Sequence, residues 1–443
     1  MKKMSHFPAK NSTLASGVVP VFHTHGQQYH FFGYYDKSPM DAGGKRLLCH
    51  AVNFDLRLTR KDDVAEIGCW DIQTGKYQKI ATTRSFNWQQ GAMLQWMPPD
   101  YFSRIIFNDF VDGDFRAVIV DMASGRRRIL SNSIYNVSPT GKHAITPNFR
   151  RLFFPRPAYS YANIADGKWN KVVPEADGIS LIDLETDTSR LIITTRQMVE
   201  LSHQETMDCG DNYLEHMMFN PDGTRFAFFH RWKLPNGGIR TRLYTANPDG
   251  SGLQCFPDSG FYSHGCWRSN SQLLYWARRT GTVSGFRNSK GMLAILLNPL
   301  LKINRMLPSS KIVNRVRSKL GAMNYCILTD HTQDMIPLGR KTLSEDGHCS
   351  FRPGSEEWIL TDTYPNSRHR QQLLAYNTNS NRLLILGDFH SSPTHAKTGY
   401  RCDLHPRWSC CGNKVCIDSL HDGTRQMYVY DVSEALAEIC PDI

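Results

Sequence analysis

Glu215-His216-Met217-Met218-Phe219-Asn220-Pro221-Asp222-Gly223, followed by Phe226-Ala227-Phe228-Phe229, decides how the rest of the chain is read. An apolar strand opening runs into an aromatic, a turn reverses the chain, and a second apolar strand departs. Proline and Asp-Gly favour such a reversal because one fixes a backbone torsion and the other tolerates the left-handed region. The turn recurs as Lys37-Ser38-Pro39, Trp96-Met97-Pro98, Val137-Ser138-Pro139, Trp267-Arg268-Ser269, Phe351-Arg352-Pro353-Gly354 and Trp408-Ser409-Cys410-Cys411-Gly412. Apolar strands follow most copies, as in Arg46-Leu47-Leu48-Cys49, Arg104-Ile105-Ile106-Phe107 and Gln272-Leu273-Leu274-Tyr275. A third strand then ends in a polar turn, as in Asp71-Ile72-Gln73-Thr74-Gly75 and Asp121-Met122-Ala123-Ser124-Gly125.

Short strands punctuated by turns at a recurring period predict stacked β units. Four strands per unit around an axis make a β-propeller, which removes exposed strand edges by radial closure. The expected fold is therefore all-β, a seven-bladed β-propeller over residues 18–437, with Val18-Val19-Pro20-Val21-Phe22 as the closing strand of the last blade. Residues 1–17 read as a flexible N-terminal segment. Residues 150–205, with Pro155, Pro157, Tyr159 and Tyr161, read as an ordered loop. Residues 285–321 read as a basic helical insertion in the fifth blade.

Charge isolates that insertion. The net charge is +11, and between Asp258 and Asp330 there are eleven Lys and Arg residues and no acid. Met292-Leu293-Ala294-Ile295-Leu296-Leu297 is helical in pattern, is interrupted at Pro299, and has only cations beside its apolar face. Residues 290–320 thus suit an anionic membrane surface or a partner protein; the favoured reading is the plainer one, a helical hairpin packed on a blade. No recognisable nucleic-acid module accompanies the charge. Met292 to Leu301 is about half the ~20 residues a membrane span needs. Residues 1–17 lack the apolar core of an export signal. The expected location is cytoplasmic, peripheral at the inner face of the membrane if the insertion meets lipid, and the twelve cysteines read as reduced thiols.

In four copies a histidine lies three residues before the aromatic: His216 before Phe219, His264 before Trp267, His348 before Phe351 and His405 before Trp408. Through all seven copies that position reads Tyr34, Met93, Ile134, His216, His264, His348, His405. Equivalent positions of successive innermost strands ring one mouth of a propeller channel, so four neighbouring blades aim imidazoles at one region. Two uses fit. Neutral imidazoles bind a divalent transition metal, with Cys266, Cys349 or Cys402 nearby as softer donors; a histidine near neutral pKa also takes a proton. Tyr34, Tyr35 and Lys37 in Gly33-Tyr34-Tyr35-Asp36-Lys37 reach the same rim. His230 and Arg231 follow on the second strand of the His216 blade, Arg240 and Arg242 lie beyond them, and Arg196 precedes that blade. Arginine forks suit carboxylates and sulfates.

Ser263-His264 before Cys266-Trp267, the Gly347-His348-Cys349-Ser350 segment, Glu215-His216 followed by Phe229-His230, and Arg425-Gln426-Met427-Tyr428-Val429 resemble the propeller-type polysaccharide lyases. These are the oligogalacturonate lyases and, by architecture, the ulvan lyases; the turn rhythm also marks TolB-type propellers. The resemblance implies β-elimination at a uronic acid in an acidic oligosaccharide or polysaccharide, assisted by a divalent metal (Mn or Zn). It implies His264 and His348 as metal ligands, His405 as a further ligand, and His216 as the base, with Tyr34 the competing base. Arg196 would support the carboxylate, His230 and Arg231 would assist, and Tyr35, Lys37, Arg240 and Arg242 would hold substrate. A clear glutamine ligand near His348 is missing. The competing reading is a non-catalytic propeller that scaffolds a glycan-assembly or membrane-associated complex. A hydrolase has less support, since no Gly-x-Ser-x-Gly elbow occurs.

Overall fold

The computed structural model describes residues 12–164, 176–208, 210–234, 236–278, 323–396 and 398–438. Its strands form seven antiparallel sheets in which the spatial order follows the chain. The fold is a seven-bladed β-propeller. The first strands of blades 1 to 7 are Tyr29–Phe31, Gln95–Trp96, Asn136–Val137, Asn212–Phe219, Tyr262–Trp267, Ser350–Phe351 and Arg407–Trp408. They face the axis, because side chains next to or within them touch across blades.

The aromatic of the repeat links neighbouring blades. The indole N–H of Trp96 donates to Pro39 O (2.9 Å), that of Trp267 to Met218 O (3.0 Å) and that of Trp408 to Ser350 O (3.4 Å), each in the preceding blade. Burying an indole removes about 150–250 Å² from water, some 4–6 kcal/mol at 25 cal/mol per Å². The hydrogen bond adds only about 1 kcal/mol. Packing dominates, and the bond fixes its direction. The third-strand turns are equally regular: the backbone N–H of Thr74, Ser124 and Thr186 donates to the carboxylate of Asp71 (2.7 Å), Asp121 (2.8 Å) and Asp183 (2.8 Å). Side-chain carboxylates thereby satisfy turn amides that no ladder partner reaches.

Closure follows the expected route. Val19–His23 pairs antiparallel with Gln426–Asp431 as the outermost strand of blade 7, Val19 opposite Asp431. Residues 12–17, expected to belong to a flexible segment, are ordered, and residues 1–11 lie outside the described residues. Ser12–Leu14 adds a fifth strand to blade 6, with Ser12 opposite Phe389 and Leu14 opposite Gly387, because Leu14 and Ala15 pack on the core shared by blades 6 and 7. Between the two strands the chain turns at Gly17, with φ +71°, where a Cβ would lie 2.8 Å from Ala435 N in the C-terminal helix Ser433–Ala437. Only glycine fits there.

The ordered loop expected over 150–205 holds the helix Phe149–Phe153, the strands Gly178–Asp183 and Thr188–Thr194, and the helix Thr195–Glu200. Of the basic insertion, 279–322 joins the second and third strands of blade 5 and lies outside the described residues, as does the surface role expected for 290–320. Among the described residues no helix is long and apolar enough to cross a membrane.

Candidate active site and metal centre

Three of the four histidines in register come together, and the fourth, His216, is linked to them through the ring of Tyr34. Ring centres of His264 and His348 are 4.3 Å apart, and those of His348 and His405 are 4.2 Å apart. His216 lies across the ring of Tyr34, whose centre is 5.2 Å from His216 and 5.5 Å from His405. Ladder irregularities between Glu215 and Met218 and between Tyr262 and Gly265 turn two of these positions toward the axis.

Each imidazole has a carboxylate beside it. His264 Nδ1 lies 3.0 Å from Asp346 and His348 Nδ1 2.9 Å from Asp362; His216 Nδ1 is 3.4 Å from Glu215 and His405 Nε2 3.9 Å from Asp403. A carboxylate at Nδ1 fixes the proton there and leaves the Nε2 lone pair for an ion or a proton. Burial, with the His264 charge beside it, holds His348 far below its ordinary pKa. Burial, with His348 beside it, does the same to His405, so both stay neutral. Burial pushes Asp362 up to about 7 even though the amides of His348 and His405 favour its anion.

The donor set fits a divalent cation. His348, Asp403 and His405 each present a ligand atom, all within 4.8 Å of one another. His405 Nε2 and Asp403 Oδ1 are buried without a hydrogen-bond partner, and orphaned buried polar atoms call for a partner such as a water or an ion. His264 stands next to His348 but is not among the converging ligand atoms: its Nδ1 lies against Asp346 and its Nε2 3.5 Å from the Tyr364 hydroxyl. Asp403 was missed, although Asp346-Gly347-His348 and Asp403-Leu404-His405 repeat an Asp-x-His spacing that an extended strand places on one side.

Two arginines stand at the mouth, neither of them the one expected. The guanidinium of Arg156 lies 4.1 Å over the ring of Tyr159, and Arg401 donates to the Tyr159 hydroxyl (3.1 Å) and to Asp403 (2.6 Å). Tyr159 lies 5.9 Å from His216. The Tyr364 hydroxyl, kept protonated by burial, donates to His264 Nε2 at 3.5 Å. Arg156 and Tyr159 come from the long connection of blade 3, Tyr364 from a connection in blade 6, and Arg401 from the link into blade 7. None belongs to the repeat, so the repeat could not announce them.

Other expected residues lie elsewhere. Arg196 sits on Thr195–Glu200 and pairs with exposed Glu200 (3.4 Å), where the helix carries it outward. His230 bonds Asn212 Oδ1 (3.1 Å) and lies against Trp232 (5.1 Å). The pleat sends it to the face opposite Arg231, and burial pushes it down to about 3. Arg231 is buried behind the site, bound to Glu215, to Thr241 Oγ1 (3.0 Å) and to Tyr262 O (3.2 Å). Arg240 and Arg242 hold Asp258 at 3.0 and 2.9 Å.

Segment 33–37 plugs the channel. Gly33, at φ +123°, lets the chain pass Gln90, where a Cβ would lie 2.6 Å from its carbonyl carbon. Arg407 of blade 7 donates to the carbonyls of Gly33 and Tyr34, and the Tyr35 hydroxyl bridges the backbone N–H and C=O of Gly265 in blade 5 (both 2.9 Å). Beneath lies a separate cavity of about 310 Å³ lined by Lys37, Trp96, Trp267, Phe351, Cys266 and Cys349. Lys37 pairs there with Asp36 (2.6 Å). The plug removes Lys37 and the two cysteines from the histidines. Cys402 is buried, and its thiol is pushed up to about 12.

No family model and no curated protein matches this chain. Solved structures do. An oligogalacturonate lyase in complex with manganese superposes with TM-score 0.58 at 13% identity, covering 95% of this chain and 98% of that one. An oligogalacturonate lyase from Vibrio parahaemolyticus does so with TM-score 0.58 at 14% identity, covering 96% of each chain. The chain has the oligogalacturonate lyase fold. At this identity the likeness is one of architecture over the whole length, and the oligogalacturonate lyase fold is reached here with a histidine cluster at one channel mouth.

Proposed function

We propose that this protein is a propeller lyase that cleaves a uronate-containing anionic saccharide by metal-assisted β-elimination. The observation that carries the reading is the meeting of His264, His348 and His405, with His216 across Tyr34 from them, each beside a carboxylate, and with Arg156 and Arg401 nearby. His348, His405 and Asp403 would hold the ion, with His264 beside them. A bound divalent ion supplies charge neutralisation at the uronate carboxylate, which acidifies the C5 proton. His216, pushed down to about 4 by burial against the pull of Glu215, is neutral at pH 7 and takes that proton. The C4–O bond then breaks, C4=C5 forms, and the departing oxygen is protonated by water. Tyr34 is a poorer base, because burial holds its hydroxyl protonated far above neutral pH. Arg156 and Arg401 orient the anionic substrate.

The test is metal analysis together with incubation on a panel of acidic oligosaccharides. A stoichiometric transition metal and release of ultraviolet-absorbing unsaturated uronate are expected. His216→Ala should abolish the product and keep the metal. A folded, metal-free protein inert on the whole panel would replace this reading with the scaffold.

A further inference from the structure

We infer that Glu215 is a positioning residue for His216, its Oε2 holding the Nδ1 proton so that Nε2 is the atom turned to the channel. The inference rests on the lyase reading only for the step that Nε2 serves.

Glu215 and His216 are consecutive, and in a regular strand consecutive side chains leave on opposite faces. Here the ladder slips between Glu215 and Met218, and the two side chains meet: Oε2 lies 3.4 Å from Nδ1. Both atoms are buried and neither has a hydrogen-bond partner elsewhere or a fully formed one in the other, so this close approach is what each has to meet its polar need. Glu215, 1% exposed, is also held from behind. Its Oε1 takes a hydrogen bond from Arg231, which is itself tied to Thr241 and Tyr262. Only Arg156 Nε, at 3.9 Å and likewise without a hydrogen bond, competes for Oε2. The other sites use a carboxylate from another element or two residues away; only this one takes it from the adjacent residue.

The groups facing His216 are few. They are Glu215 on its own strand, Arg231 on the next, Arg156 and Tyr159 on the blade 3 connection, and Tyr34 on the plug. Glu215 is the acid in contact with the ring; Asp36, on the plug and lining the same small cavity with Tyr135, pairs with Lys37 (2.6 Å). When Nε2 accepts a proton, the positive imidazole gains a fixed counter-charge within contact distance, and neutral His216 is confined to one tautomer.

The experiment is nitrogen-15 NMR of the histidine rings in the full chain, on wild type, Glu215→Gln and Glu215→Asp. Wild type should show His216 protonated at Nδ1 and bare at Nε2. Glu215→Gln should shift the proton toward Nε2. On a cleavable uronide it should lower kcat on the order of 100-fold or more with KM within about twofold, and displace the acid limb of the pH–rate profile. Glu215→Asp, which keeps the charge and shortens the reach, should fall between and decides the matter if the Gln variant does not fold. An unchanged tautomer in a folded variant overturns the inference. A Glu215-dependent tautomer in a protein that cleaves no uronide overturns the lyase reading and leaves this one standing.

Discussion

Blades 2 and 3 put Met93 and Ile134 where blades 4 to 7 put His216, His264, His348 and His405. Met93 and Ile134 are buried in an apolar cluster with Met97, Tyr135 and Met217. The backbone does not distinguish the two sides. Met93 has φ +55°, and His216 and His405 have +57° and +42°, although residues with side chains seldom adopt that region. The left-handed turn thus occurs at an apolar position as well as at two of the histidines, and is not peculiar to the histidines. A propeller supplies equivalent places, and the side chains decide which of them become a site. Of the seven places, two are apolar core, one holds Tyr34 and four hold histidines.

The sharpest way to break that comparison is to remove one histidine. His348→Ala should abolish stoichiometric metal binding, read by metal analysis after dialysis, while the circular dichroism of the sheets persists; full retention of metal would remove His348 from the centre. Next in size, Trp96→Ala on the core side should cost about 3–5 kcal/mol in urea unfolding, and Trp96→Phe less, because packing outweighs the bond to Pro39.

Acid tests both sides together. Burial pushes His50 in blade 1 down to about 4 and His230 in blade 4 down to about 3. The unfolded chain, with imidazoles near 6.5, binds these protons first. Stability from this source is complete above pH 6.5 and is lost as pH falls through that value. From pH 7.5 to 5 the two residues together should remove about 4 kcal/mol, seen as a lower urea midpoint; a constant midpoint would contradict it. Asp362→Asn, behind His348 Nδ1, should weaken metal affinity about 10–100-fold. Smallest, Met93→His should bring no second ion and cost about 1–3 kcal/mol for an imidazole in apolar surroundings.

The blades, their closing strand and the histidine ring were legible in the chain because they recur. Phe219, Trp267, Phe351 and Trp408 set a register, and anything in that register could be found. Asp403 and Asp346 were legible in principle through their shared spacing from a histidine. Arg156, Arg401, Tyr159 and Tyr364 were not, since they ride on connections unique to their blades. His230, Arg240 and Arg242 lie close to His216 along the chain, and Arg196 lies upstream of it where the family resemblance puts an arginine. Strand alternation and an outward helix carry them away, so nearness along the chain misled where pleat and turn decide direction.

The segment from Gly33 to Lys37 has one more consequence. It ties blades 1, 5 and 7 across the axis and stops the bore, so the propeller is a cup and not a pipe. Whatever reaches the histidines leaves by the door it entered. On the proposed function, a long saccharide would enter only as an end or a bend, and each product would leave past Arg156 and Arg401.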